Sequence, residues 1–184
     1  MSTKDLVYLA LFAAITAALA IFPPFVLPVI GVPITAQSMG PMLAGSILGA
    51  RRGALAILLF LVLVAVGLPL LSGGRGGLAI FLGPGGGFLL SWPLGALVVG
   101  WLCQRYWSTL TFWRAALFNL IGGVAVIYPL GILWISVAAD LSLVQAAAGT
   151  VAFLPGDFIK VVIAALVAVT VKRSYPLIST AQKA

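Results

Sequence analysis

Histidine is absent from this sequence, cysteine occurs once, and three acidic residues serve a chain of 184. Zinc and other transition-metal sites are built from His, Cys and carboxylates, so this inventory comes close to excluding metal catalysis. The lone Cys103 excludes an internal disulfide and a thiolate metal cluster. No G-x-x-x-x-G-K-[ST] stretch occurs, so the chain lacks the loop with which many ATPases cradle phosphates. No cofactor and no enzymatic chemistry are expected. Charged residues make up 7%, against about 25% in a soluble domain. What remains is apolar: 63% of residues are hydrophobic, where about 45–50% is usual. The apolar runs are continuous, whereas barrel strands would alternate. The expected fold class is therefore an all-α integral membrane protein, one domain over residues 1–184, solvated by a lipid bilayer.

The runs divide into six predicted transmembrane helices, near 4–22, 35–50, 53–71, 88–104, 113–137 and 155–171. Lys4 ahead of the first run, with Ala18-Leu19-Ala20 at its end, has the look of a signal peptide. The run from Leu6 to Phe22 is long for that, and further spans follow, so it reads as a membrane helix. Pro23 and Pro24 end it, and a loop containing Pro28, Gly31 and Pro33 cannot be regular helix. The second segment has 16 residues and would rise about 24 Å, short of a ~30 Å hydrocarbon core. It must be buried among neighbours or leave its loop dipping into the membrane. Arg51 and Arg52 close it. A glycine-rich stretch from Ser72 to Gly87 follows the third segment. Pro93 and Pro129 mark expected kinks in the fourth and fifth. No internal repeat is evident.

The net charge of +7 forms no stripe, which argues against nucleic acid. Numbering the gaps between segments alternately places Lys4, Arg51, Arg52, Arg105, Arg114, Lys172, Arg173 and Lys183 on the N-terminal side. That is eight of ten basic residues, so the positive-inside rule predicts both termini in the cytoplasm. Trp101, Trp107 and Trp113 fall near the same side, as an interfacial belt. Arg75 and Lys160 break the pattern and lie on the outer side with Asp140, Asp157 and the Gly/Pro-broken loops. Irregular backbone at membrane depth is tolerated where protein buries it or it lines a cavity. Both observations predict an outward-facing ligand pocket.

Pro155-Gly156-Asp157-Phe158-Ile159-Lys160 opens the last segment. Pro155 suits a first helical turn, Asp157 meets the positive end of the helix dipole, and Lys160 shares its face three residues on. Such charges either pin two helices together or read a polar solute. Arg75 lies within Gly73-Gly74-Arg75-Gly76-Gly77 and either grips a carboxylate or meets lipid headgroups. Thr35 and Gln37 stand where the first outer loop joins the second segment. A buried glutamine both donates and accepts, which suits a urea-like group, although a helix cap reads as well. Phe88, Trp92 and Tyr128 either wall a pocket or pack against lipid and helices. Asn119 reads as an interhelical hydrogen bonder. Ala10, Ala13, Ala14, Ala17 and Ala18 form small-residue steps in the first segment, a candidate face for docking a partner or for internal packing.

Several of these stretches together resemble the BioY family, the biotin-specific substrate-binding (S) components of energy-coupling-factor transporters. They are the alanine-rich first helix, Pro33-Ile34-Thr35-Ala36-Gln37, Met42-Leu43-Ala44-Gly45-Ser46-Ile47-Leu48-Gly49, Gly67-Leu68-Pro69, the paired glycine blocks, and Pro155-Gly156-Asp157 with Lys160. The resemblance covers nearly the whole chain. It implies a multi-pass protein in the plasma membrane of a prokaryote, with biotin bound on the outer side. It also implies docking through the first helix onto a transmembrane coupling (T) protein driven by two ATPase subunits. Asp157 resembles the acid that hydrogen-bonds the ureido ring. Lys160 and Arg75 are the candidates for the carboxylate, and Gln37 for a loop contact. Gly85 and Phe88 depart from the family pattern Gly-Pro-Thr-Gly-Gly-Tyr, which removes two hydroxyls. An autonomous homo-oligomeric biotin facilitator and a non-transporting membrane scaffold are the alternative readings.

Overall fold

A computed structural model describes residues 1–26 and 31–178 of the chain; Pro28 and Lys183 lie outside them. It is a bundle of helices: α1 (Thr3–Ala18), α2 (Met39–Leu48), α3 (Ala50–Ala65), α4 (Ala79–Leu82), α5 (Gly86–Arg105), α6 (Phe112–Leu120), α7 (Ile127–Ala138), α8 (Leu143–Thr150) and α9 (Leu154–Ser174). One short antiparallel pair, β1 (Phe25–Val26) with β2 (Pro33–Ile34), closes the first loop. Among the described residues, four helical runs are long and apolar enough to cross a membrane: Thr3–Ile21, Gly86–Arg105, Phe112–Ala138 and Leu143–Ser174.

α1 starts with a capping box, Ser2 and Asp5 each bonding the other's backbone N–H. This satisfies two of the donors that a helix start leaves free. α2 has 10 residues, every one of them buried, and sits between α3, α5 and α9. A stretch too short to meet water at both ends is thus lodged inside the bundle. Gly49 alone separates α2 from α3, with φ of 85°, a backbone state open chiefly to glycine. Arg51 and Arg52 therefore start α3, correcting the expectation that they end the preceding helix. α3 stops at Ala65, well before the expected Leu71, because Gly67 and Pro69 cannot continue it.

α5 runs through Pro93 without interruption. It crosses the α2–α3 joint at Gly100, where an added Cβ would meet Ala50 Cα at 2.6 Å. Gly100→Val should force α5 off this joint and lower the thermal unfolding midpoint of the detergent-purified protein, at a cost of about 1–3 kcal/mol or more. An unchanged midpoint would show that the helices do not meet so closely.

The fifth expected segment is one helical run, but its irregularity precedes Pro129. Residues Ile121–Val126 form a π-helical turn between α6 and α7. Pro129 lacks an N–H and its ring crowds the carbonyl four residues back, at Ala125, so the wider turn relieves both problems. α8 occupies a stretch expected to be loop, and Ser142 and Gln145 form a capping box at its start. Asn119 of α6 accepts from Ser46 of α2 at 2.9 Å, both fully buried. Of the expected tryptophan belt, Trp101 and Trp113 are exposed, while Trp107 is buried with the Lys172 ammonium 5.6 Å from its ring centre.

Candidate ligand-binding site

Pro155 in the first turn starts α9 and puts Asp157 and Lys160 on one inward face. Their side chains are only 8% and 11% exposed, and Lys160 Nζ donates to Asp157 Oδ1 at 2.7 Å. A buried charge is tolerated when paired and hydrogen-bonded, and two other elements supply the bonds. Tyr128 of α7 donates its hydroxyl to Asp157 Oδ2 at 2.6 Å. Ser38, in the 3₁₀ turn Ala36–Ser38 before α2, accepts from Lys160 Nζ at 2.8 Å and stands 3.4 Å from Asp157 Oδ1.

This cluster forms one wall of a small cavity of about 60 Å³, whose other lining residues include Val32, Thr35, Phe88, Trp92 and Phe153. Phe88, Tyr128 and Phe153 meet edge to face with ring centres 5.9–6.4 Å apart, the geometry aromatic quadrupoles favour. Trp92 stacks on Phe60 with centres 6.2 Å apart. A second cavity of about 220 Å³ shares Val32, Pro33, Thr35, Phe88 and Trp92 with the first, and adds Gln37, Arg75, Ile80 and Gly83–Gly85. Together they approach the lower end of the ~300–1,000 Å³ typical of ligand pockets. Trp134 of α7 braces the glycine-rich wall, donating to the Gly83 carbonyl at 2.9 Å.

The sequence placed Asp157, Lys160 and Arg75 around one solute. The structure puts the first two together and Arg75 in the adjoining cavity. The two ends differ in chemistry. At the first, the paired charges cancel, but hydrogen-bonding capacity remains. An ammonium has three donors and a carboxylate about four acceptor positions. Protein contacts take two of the donors and two of the acceptor positions, and the Ser38 hydroxyl at 3.4 Å covers a third acceptor position. That end can give one N–H and take one. At the second, Arg75 uses Nε to bond the Ser72 carbonyl at 3.1 Å, and among the described residues neither Nη group has a partner. That end carries a positive charge in a shape suited to a carboxylate.

Gln37 does not fit its expected role. It is 1% exposed, and its amide is spent on protein. Nε2 donates to the Thr16 and Leu70 carbonyls at 3.0 and 2.9 Å, and Oε1 accepts from Ser72 N and Oγ at 2.9 and 3.1 Å. An amide offers two donors and two lone pairs, so none remains for a ligand. Ser38 and Phe153 were not anticipated. Ser38 directly follows Gln37, so a polar neighbour of a candidate loop was the available signal. Phe153 fell in the stretch read as loop. In α1, Ala10, Ala14 and Ala18 face outward, Ala17 is half-buried and Ala13 is 4% exposed.

The BioY family model matches residues 1–177. A biotin transporter of Rhizobium etli is 52% identical, over 97% of this chain and 98% of its own. A biotin transporter of Rhodobacter capsulatus is 44% identical over 94% and 95%. A crystal structure of the S-component for biotin from an ECF-type ABC transporter superposes with a TM-score of 0.91 at 30% identity, covering 96% of this chain and 97% of that one. With a family match over nearly the full length, and relatives and a solved structure that agree with it, the chain belongs to the BioY family.

Proposed function

We propose that this chain is the biotin-binding membrane subunit of an ECF-type transporter and holds biotin across the two joined cavities. The carrying observation is the chemical polarity of the site. The Asp157–Lys160 end offers one acceptor and one donor side by side, which matches an N–H and C=O of a ureido ring. The Arg75 end, reached past the Trp92 and Phe88 walls, matches a carboxylate. This assigns the carboxylate to Arg75 and the ureido ring to Asp157 and Lys160. Thr35, on both cavities, and Tyr128 complete the set. Gln37 supports it from behind.

The chain crosses the plasma membrane of a prokaryote six times as a single domain, both termini in the cytoplasm, with the site facing outward. The distribution of basic residues supports this orientation. Ala10, Ala14 and Ala18 present a flat strip where a transmembrane coupling protein would dock, and two partner ATPase subunits would drive turnover. Ala13 and Ala17 serve internal packing of α1.

Calorimetric titration of purified protein should show one biotin site per chain. Arg75→Ala should weaken biotin about 10–100-fold, the loss of a charged hydrogen bond of about 1.5–3 kcal/mol. Binding of biotin carboxamide should hardly change. Wild-type protein that takes up no biotin would end this reading, and uptake by vesicles devoid of ATPase partners would favour a facilitator.

A further inference from the structure

Arg75 sits on a turn that has little structure of its own. Residues 71–75 close on themselves through reciprocal bonds between the Leu71 and Arg75 backbones, at 3.0 and 3.2 Å. Gly73 and Gly74 take φ of 80° and 68° to turn the chain. Such a turn would swing as a unit unless one residue were fixed. Ser72 is fixed in this way, fully buried beside the buried Leu71. Its N–H and hydroxyl both bond Gln37 Oε1, and its carbonyl receives Arg75 Nε. The other side of the Gln37 amide holds the Leu70 carbonyl and the Thr16 carbonyl of α1. Thr16 lies in the last turn of α1, where carbonyls lose their helical partners.

We propose that Gln37 is the positioning residue that aims Arg75 at the ligand's carboxylate, and that it anchors this aim on α1. A continuous chain of bonds runs from Thr16 through Gln37 and Ser72 to the guanidinium. Gln37 thus decides carboxylate selectivity without bonding the ligand, its amide being spent on protein. This amide gives a movement of α1 a bonded route to the charged end of the site.

The proposal rests on the biotin reading, and its test uses two probes, biotin and its carboxamide, by calorimetry on detergent-purified protein. Gln37→Met, close in shape but unable to bond, should weaken biotin about 10-fold or more and the carboxamide less than about threefold. In an Arg75→Ala background, Gln37→Met should change biotin affinity less than about twofold, because there is no guanidinium left to aim. Equal weakening of both probes would make Gln37 a general packing residue and overturn the proposal. So would a full Gln37→Met effect that persists without Arg75, which would mean direct contact. Should Gln37→Met fail to fold, Ser72→Ala, which deletes only one hydroxyl bond, should shift selectivity in the same direction about two- to fivefold. An unchanged ratio there would equally overturn it. Wild-type protein that binds neither probe overturns the biotin reading itself and this role with it.

Discussion

Asp157→Asn should weaken biotin binding at least about 100-fold while the protein still reaches the membrane. The carboxylate does three jobs at once: it balances Lys160 at 2.7 Å, takes the Tyr128 hydroxyl at 2.6 Å and keeps room for one ligand N–H. An amide in its place carries no charge and brings a donor to a spot where the neighbours are themselves donors. Breaking a buried pair from one side costs about 3–5 kcal/mol, because the remaining ammonium is stranded. Part of the damage would therefore appear as lost thermal stability without ligand. The double variant Asp157→Asn with Lys160→Met removes the stranded charge and should recover much of the midpoint, yet still not bind biotin. If the double variant binds, the pair serves only to join α9 to its neighbours.

Trp92→Ala should carry the second largest effect, lowering both stability and biotin affinity. Trp92 is 5% exposed, stacks on Phe60 of α3, and forms part of the wall that both cavities share. Truncating a buried aromatic of this size costs about 3–5 kcal/mol through lost contacts and the cavity left behind. It also removes a wall common to both cavities, so the ligand loses the surface that spaces its two polar ends. Biotin affinity should fall about 100-fold, with Trp92→Phe intermediate. Affinity within about threefold of wild type, read by titration, would place the ligand elsewhere than against this ring.

Much of the site's polar end was readable because it is local. Pro155, Asp157 and Lys160 lie within one and a half turns of α9, and helix geometry alone puts the two charges on one face. The distribution of arginines and lysines likewise carries its meaning without any fold. The π turn before Pro129 was not read, because a proline announces trouble in a helix but not which form of relief the neighbours permit. The helix α8 was missed although Ser142 and Gln145 spell a capping box. Its stretch follows a break at Ala139 and Asp140, the latter with φ of 51°, and its eight residues are too few to stand out as an apolar run.

The bonds that define the site join residues far apart in the chain. Ser38 meets Lys160 across 122 positions and Gln37 meets Ser72 across 35. The sequence by itself determined that this chain lives in a bilayer, and it singled out the buried charges of α9, because composition and helical periodicity act over a few turns. Only the tertiary structure decided that Gln37 is spent on the protein and that Arg75 commands a separate end of the cavity. It also decided that Trp92 lines both cavities. A side chain's hydrogen-bonding capacity is settled by whichever groups reach it first, and those come from elements that no local pattern brings together.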